Sequence, residues 1–359
     1  MSNPWIDRSS PIREGEELNE DRLARFLREP LGLEGALDIR QFPRGFSNLT
    51  YLVRVGDREL VLRRPPFGSD VETAHDMGRE YRILSRLRPR FPKVPEPLVY
   101  CEDEKVLGAP FYLMERVEGA ILRAPVAEDR EPPRERVSAL AGSFVDTFVE
   151  LHRVEVESTG LIELGKPEGY VRRQIEGWAG RYRRARTDEI PAMEEVARWL
   201  EERMPAERGV SLIHNDYKYD NLVLDPGDWS RIRAVLDWEM ATVGDPWMDL
   251  GCALGYWVEP GDPEPLQGLN LSPTTLPGNP SRRELVERYV ERVGENPGPI
   301  VFYVVYGLFR LAVIIQQIYA RYVQGHTEDP RFARLIDGVK ACAWAADRAI
   351  ELDRIDDLG

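Results

Sequence analysis

The 359-residue sequence has little of what several common functional classes require. Its three cysteines (Cys101, Cys252 and Cys342) are odd in number, far apart and without metal-ligand spacing, so neither a disulfide framework nor a zinc site is indicated. Residues 1–10 contain no apolar run of the kind found in a secretory leader. We therefore expect a reduced, cytoplasmic location.

Positive charge is scarce relative to negative charge. The chain has 48 Lys and Arg against 62 Asp and Glu, which gives a formal net charge of −14. Because nucleic-acid backbones bind to basic surfaces, we expect no nucleic-acid partner. A hydrophobic content of 42% is typical of globular proteins, and the length suffices for two lobes with substantial cores. The sequence does not indicate an oligomeric state.

One apolar run, residues 301–320, raises the question of a membrane span. Arg310 lies at its centre, and Gln316 and Gln317 follow. A central arginine costs at least about 2.5 kcal/mol in a lipid bilayer. The run therefore predicts a helix buried inside protein, with no membrane association. Tyr306 and Arg310 are candidates to line a pocket from that helix.

The most informative segment is the eight-residue run HNDYKYDN, which starts at His214. It carries Asp216 and Asn221 five residues apart on one predicted loop, and Asp237 follows the next apolar run. Phosphoryl transfer needs a carboxylate that accepts a proton from a hydroxyl, together with oxygen donors that hold Mg²⁺ on nucleotide phosphates. We expect Asp216 to be the catalytic base, and Asn221 and Asp237 to bind the metal. Lys218 is at a spacing suited to neutralising the transferring phosphoryl group, with a solvent-exposed lysine as the alternative.

The pattern His-x-Asp-x-x-x-x-Asn, followed by LDWE at 236–239 and GDPWMDL at 244–250, resembles the aminoglycoside phosphotransferase-like kinases. The resemblance implies an α+β, two-lobed protein-kinase-like fold with a small β-rich N-lobe and a larger, mostly helical C-lobe. It also implies ATP or GTP as the phosphoryl donor, Mg²⁺ as the cofactor and a small-molecule hydroxyl as the acceptor.

The predicted elements agree with such a division. Residues 19–27 and 80–87 predict amphipathic helices, and residues 37–42, 50–55, 59–64 and 111–114 predict strands. From about residue 120 the chain predicts mostly helix, except for the strand-rich segment 210–240. We therefore expect a nucleotide-binding N-lobe over residues 1–116. The C-lobe, residues 117–359, would hold the catalytic loop, the metal site and the substrate-binding helices.

The resemblance assigns two N-lobe segments to the nucleotide. Ser47 and Asn48 lie where a phosphate-covering loop is expected and would contact the phosphates, although a plain polar turn is the alternative. Gly45 is the one glycine in this loop, where protein kinases have three. Glu115 and Val117 match the hinge, whose backbone carbonyl and amide groups would meet the adenine edge.

A third N-lobe segment matches the strand that carries the phosphate-binding cation. By strand alternation Val61 and Arg63 share one face, so that Val61 lies beneath the adenine and Arg63 points toward the phosphates. Arg63 replaces the usual lysine, and its planar guanidinium can clamp oxyanions with two hydrogen bonds. Glu80 matches the helix carboxylate that pairs with this cation, with a solvated carboxylate as the alternative. Arg64 is expected to point the other way.

Further segments, at residues 151–154, 165–178 and 308–321, resemble a subgroup whose domains are fused to acyl-CoA dehydrogenase modules in some eukaryotes. This wider resemblance spans about residues 15–350 and implies a small hydroxylated acceptor such as a hydroxyacyl-CoA-like metabolite. Six arginines between 172 and 186 form a basic strip that is compatible with a CoA phosphate. A solvated helix face balanced by acids is the alternative.

Three other functions remain open from the sequence. An aminoglycoside 3′-type antibiotic kinase would need clustered carboxylates, which Glu259, Asp262 and Glu264 could supply; a choline kinase would need an aromatic cage, for which Trp178, Trp247 and Trp257 are available. A nucleotide-binding pseudokinase without turnover is the third possibility, and it typically lacks the base or a metal ligand. This sequence retains all of them.

Overall fold

The structure is a computed structural model that describes residues 4–43, 48–67, 76–326 and 330–359. The chain forms two compact units. The first unit consists of Met1–Ile121, Thr159–Leu164 and Leu222–Ala241. The second consists of Leu122–Ser158, Gly165–Asn221 and Thr242–Gly359.

The first unit is built on an antiparallel sheet. Its helices are α1 (Glu20–Leu31), α2 (Met77–Leu87) and α3 (Glu104–Leu107), and its strands are β1 (Leu37–Gln41), β2 (Leu49–Val55), β3 (Arg58–Arg64), β4 (Pro97–Cys101), β5 (Phe111–Glu115), β7 (Leu222–Leu224) and β8 (Ile232–Val235). The five-stranded sheet has the order β1-β2-β3-β5-β4, and β7 pairs separately with β8. The central position of β3 brings its side chains next to α2 and β5.

Local sequence signals explain these elements. The Asn19 side chain accepts a hydrogen bond from the Arg22 amide and caps α1, which ends at Gly32 in the left-handed conformation that glycine favours. Leu23 and Leu27 of α1 join the core formed by alternate residues of β2 and β3. The sequence did not predict β4, whose first four residues are all half-buried and show no alternation.

The second unit is mainly helical. It contains α4 (Arg134–His152), α5 (Tyr170–Ala185), α6 (Pro191–Glu202), α7 (Pro246–Gly255), α8 (Glu264–Gln267), α9 (Arg282–Val293), α10 (Ile300–Val323) and α11 (Leu335–Leu352). Its strands β6 (Ser211–Ile213) and β9 (Thr242–Gly244) pair antiparallel. The loop that carries Asp216 follows β6, and α7 follows β9 directly, so the pairing of the two strands brings the loop and α7 together.

Helix α10 occupies the interior of this unit and packs against α5, α6, α7 and α11. Among the described residues, it is the one helix long and apolar enough to cross a membrane by length and composition, and 78% of its most apolar window is buried within the protein. A Cβ atom added to Gly307 would lie 1.9 Å from the Gly251 carbonyl oxygen. The crossing of α7 and α10 therefore requires glycine.

Candidate active site

In the first unit, Arg63 lies among three carboxylates. Its Nη1 is 3.3 Å from Glu80 Oε1, and its Nη2 is 3.2 Å from Asp237 Oδ1 and 3.5 Å from Glu239 Oε2. Burial opposes the charge of Arg63, but the three carboxylates raise its pKa well above the ordinary value. Arg63 is therefore a fixed cation. The neighbouring Arg64 lies elsewhere, with its guanidinium 3.5 Å from the ring centroid of Phe67.

Asn48 and Asp237 extend this cluster. The Asn48 amide donates a hydrogen bond to Glu239 Oε2 over 2.7 Å, while its own Oδ1 is buried without a partner in the described part of the chain. Asp237 has a φ of 67°, in the left-handed region that is uncommon for residues other than glycine. Such backbone strain recurs at functional sites. Ser47, the other predicted phosphate contact, lies outside the described residues.

The predicted adenine-binding residues lie on the central strands and the chain that follows them. Val61 is buried on β3 and pairs with Met114 of β5, and Glu115 is the exposed last residue of β5. The half-buried Val117 packs on a small apolar cluster that includes Val223. The hinge roles of Glu115 and Val117 depend on backbone groups and stay predictions.

In the second unit, the loop after β6 brings together Asp216, Lys218 and Asn221. The Lys218 ammonium lies 3.0 Å from the Asp216 carboxylate. The Asn221 amide donates hydrogen bonds of 2.9 Å to both the carboxylate and the backbone carbonyl of Asp216. His214 Nδ1 accepts the Asp216 backbone amide at 3.2 Å, so the histidine shapes the loop. Four side chains of one short segment thus hold each other in place.

Electrostatics keep the Asp216 carboxyl ionised. Burial raises its pKa, but the Lys218 charge and the hydrogen bond from Lys218 outweigh burial and lower the pKa below the ordinary 3.8. Burial lowers the pKa of Lys218, but the Asp216 charge outweighs it and holds this pKa above its ordinary range. Asp216 can therefore accept a proton at neutral pH, and Lys218 carries a full positive charge beside it.

Asp249 of α7 fixes the backbone of this loop from outside it. Its carboxylate accepts the backbone amides of His214 and Asn215 at 2.6 and 2.7 Å. His152 Nε2 lies 3.1 Å from the same carboxylate, and His152 Nδ1 lies 2.8 Å from the Tyr289 hydroxyl. Asn215 has a φ of 64°, so the bonds from Asp249 hold a strained residue immediately before the base. The motif GDPWMDL contains Asp249, but the sequence did not predict these partners.

The donor chemistry of Asn221 and Asp237 fits magnesium. The Asn221 amide nitrogen is occupied by Asp216, which leaves its carbonyl oxygen as the ligating atom, and the Asp237 side chain is 34% exposed. Oxygen donors suit Mg²⁺, which retains water and phosphate oxygens in its shell. Among the described residues, no group of three or more His, Cys, Asp or Glu could hold a metal.

Three residues near these clusters were not among the predicted catalytic, nucleotide-binding or metal-binding residues, although Arg310 was a candidate to line a pocket. Glu239 joins Arg63 to Asn48, and its position two residues after Asp237 was the available signal. The Tyr256 ring lies 4.7 Å from Lys218 Nζ. Arg310 of α10 is only 3% exposed and lies 5.2 Å from the Trp178 ring. An arginine inside an apolar helix was the signal for Arg310, whereas nothing in the sequence singled out Tyr256.

Comparison with known proteins is consistent with this arrangement. The chain is 34% identical over 346 residues to acyl-CoA dehydrogenase family member 10 of Mus musculus, covering 94% of this chain but 32% of that protein. It is 33% identical over 358 residues to acyl-CoA dehydrogenase family member 11 of Gallus gallus, covering 96% of this chain and 45% of that protein. The chain thus spans less than half the length of these curated relatives.

The fold also matches solved structures. A crystal structure from Ralstonia eutropha, provisionally described as an aminoglycoside phosphotransferase, shares 29% identity with a TM-score of 0.76, covering 91% of this chain and 98% of that one. The predicted α+β, protein-kinase-like fold, with an N-terminal sheet and a larger helical portion, is confirmed. The profile of the phosphotransferase enzyme family, APH, matches residues 38–285. The chain belongs to this family.

Proposed function

We propose that this protein transfers the γ-phosphoryl group of ATP, or of GTP, to the hydroxyl of a small molecule. The observation that carries the proposal is the half-buried, ionised Asp216, held by Lys218 and Asn221. A pseudokinase has no use for such a carboxylate. The complete set of base, cation and metal donors favours an enzyme over a binding module.

In the proposed reaction, Asp216 accepts the proton of the acceptor hydroxyl as its oxygen attacks the γ-phosphorus. The bond from the γ-phosphorus to the bridging oxygen breaks, and the nucleoside diphosphate leaves with the electron pair. Lys218 supplies positive charge as negative charge develops on the transferring group. Asn221 orients the base through its bond to the carboxylate.

Residues of the first unit are suited to bind the nucleotide. Arg63 would contact the phosphates, and Glu80 would hold Arg63 in position. The unpartnered Oδ1 of Asn48 and the backbone groups at Glu115 and Val117 would complete the nucleotide contacts. Asn221 and Asp237 would each offer an oxygen donor to Mg²⁺, which would supply neutralising charge for the phosphates.

Two of the three carboxylates that the sequence offers to an aminoglycoside, those of Glu259 and Asp262, are engaged inside the second unit, whereas Glu264 is exposed. Arg282 Nη1 lies 3.1 Å from Glu259 and 3.0 Å from Asp262, and all three side chains are buried. Trp247 and Trp257, candidates for a choline cage, are also buried. These contacts favour an acceptor that is not cationic, such as a hydroxyacyl-CoA-like metabolite. The relatives' name, acyl-CoA dehydrogenase family member, agrees with this choice.

The basic strip between residues 172 and 186 gives only weak support for a CoA phosphate. Arg172 pairs with Glu176, and both Arg183 and Arg186 pair with Glu194. Much of its charge is thus balanced on the helix surface. We propose a cytoplasmic location for the reaction, because the three cysteines are free thiols.

The first test is a thermal-shift titration with ATP and GTP, each with and without Mg²⁺. A ligand that binds only the folded state raises its stability by mass action. We expect a Mg²⁺-dependent shift that Asp237→Ala loses and Asp216→Ala keeps. Turnover should fall by about 10²–10⁴-fold in Asp216→Ala. No shift at millimolar nucleotide, or full turnover in Asp216→Ala, would contradict the proposal.

A further inference from the structure

Arg310 is a buried arginine near the proposed base. It lies in the middle of α10, and its exposed fraction is 3%. Within the described residues it forms no ion pair and donates no hydrogen bond. A charge removed from water without a partner is costly, so proteins rarely retain one without a use for it. This sets Arg310 apart from Arg282, another deeply buried arginine of the unit, whose Nη1 and Nη2 contact the carboxylates of Glu259 and Asp262.

The surroundings of Arg310 connect it to the catalytic loop. Burial lowers its pKa, but Cys252, Tyr256, Tyr306 and Asp216 are close enough to raise the pKa above the ordinary value. The Tyr256 ring is also within 4.7 Å of the Lys218 ammonium, which in turn contacts Asp216. Arg310 is therefore a permanent cation in the same neighbourhood as the base.

Trp178 gives Arg310 an aromatic neighbour but no counter-ion. The Arg310 guanidinium lies 5.2 Å from the Trp178 ring centroid, and the indole N–H donates to Gln174 over 3.2 Å. The exposed Arg181 lies 4.4 Å from the same ring. A cation–π contact stabilises a guanidinium only modestly compared with a carboxylate or phosphate bound through two hydrogen bonds. The hydrogen-bonding capacity of Arg310 thus remains available.

We propose that Arg310 binds an anionic group of the acceptor, a carboxylate or a phosphate, and so makes the enzyme selective for hydroxylated acids. This inference rests on the proposed function and narrows its substrate class. In a chain with a net charge of −14, an anionic acceptor needs a local cation to offset repulsion, and Arg310 supplies one beside the base. The planar guanidinium would also orient the acceptor, because it binds a carboxylate or phosphate in a fixed geometry.

The test compares acceptor pairs that differ only in charge. The first pair is straight-chain hydroxyalkanoic acids and their primary amides, and the second is hydroxyalkyl phosphates and the corresponding diols. Each is added to protein saturated with Mg²⁺ and AMP-PNP, which occupy the nucleotide site, and thermal stabilisation is measured. We expect stabilisation by the anionic member of one pair, and the pair that responds identifies the group as carboxylate or phosphate.

Variants assign the effect to Arg310. We expect Arg310→Met to weaken binding of the anionic acceptor by about 100-fold while leaving the neutral acceptor unchanged. With ATP the loss should appear in KM more than in kcat. Arg310→Lys should retain part of the preference. Arg208→Met is the matched control, because it removes a guanidinium 5.5 Å from another indole, that of Trp247, and should have no effect.

Three outcomes overturn the inference while leaving the nucleotide result intact. Wild-type protein that is not stabilised by any anionic member has no such site. Equal losses for charged and neutral acceptors in Arg310→Met indicate a structural role beside Trp178. If Arg310→Met does not fold, Arg310→Lys provides the test. A preference for the anionic acceptor equal to that of the wild type would contradict the proposed orientation of the acceptor by the planar guanidinium. Absence of Mg²⁺-nucleotide stabilisation would instead refute the proposed function itself.

Discussion

The side-chain amide of Asn221 donates a hydrogen bond of 2.9 Å to the carboxylate of Asp216. This bond joins a predicted metal ligand to the predicted base within one six-residue segment. A side-chain amide has a nitrogen that donates hydrogen bonds and an oxygen that accepts them or binds a metal. The nitrogen of Asn221 donates to Asp216, which leaves the oxygen for another group. Under the proposed function, the same side chain would both position the base and bind the metal.

Replacement of Asn221 should disturb both functions. We expect Asn221→Ala to raise the Mg²⁺ concentration needed for half-maximal rate by about 10–100-fold, because an oxygen donor is lost. The measurement is turnover against Mg²⁺ at saturating ATP. Asn279→Ala is the control: it removes a hydrogen bond to Tyr219 in the same loop and should leave the Mg²⁺ requirement unchanged. Equal Mg²⁺ requirements in Asn221→Ala and Asn279→Ala would contradict a metal-binding role for Asn221.

Lys218 should determine the acidic limb of the pH–rate profile. The folded-state pKa of Asp216 lies below 3.8, so activity that needs the ionised base is lost only as pH falls through that low value. Removing the Lys218 charge leaves burial to raise the pKa of Asp216. We expect Lys218→Met to move the acidic limb of kcat/KM to higher pH. An unmoved limb, with only a uniform loss of rate, would show that Lys218 does not control this pKa.

Arg63 should matter for stability as well as for nucleotide binding. Arg63→Met leaves the buried Glu80 without its partner, and breaking a buried pair costs about 3–5 kcal/mol. Denaturant unfolding measures this cost, and we expect the nucleotide-induced thermal shift to disappear as well. Arg64→Met is the matched control on the same strand, because Arg64 has no carboxylate partner in the described residues. It should lose much less stability and keep the nucleotide shift.

Asp249 should act on catalysis through the backbone of the loop. Asp249→Asn weakens the acceptors for the His214 and Asn215 amides, and hydrogen bonds to a charged group contribute about 1.5–3 kcal/mol each. We expect lower stability together with lower kcat at nearly unchanged nucleotide affinity. A thermal-shift titration and steady-state kinetics separate these effects. Loss of nucleotide affinity without loss of kcat would contradict a role in positioning the base.

Most secondary-structure elements and the fold class could be predicted because they depend on short-range patterns. Asn19 and Gly32 mark the ends of α1, and alternation along β3 directs Arg63 and Arg64 to different surroundings. Strand β4 could not be predicted, since half-buried residues without alternation give no periodic signal. The antiparallel pairing of β6 with β9 also could not be predicted from local sequence patterns, because it joins segments about thirty residues apart.

The sequence by itself determined which functional groups the loop after β6 carries. The spacing of five positions between Asp216 and Asn221 allows these two side chains to form a hydrogen bond. Only the tertiary structure decided which distant groups contact that loop and which carboxylates are already paired with an arginine. Asp249 reaches the loop from α7, Arg282 occupies Glu259 and Asp262, and Arg310 remains unpaired beside Trp178. These relationships depend on how helices pack, and packing is set by many weak contacts that no local pattern records.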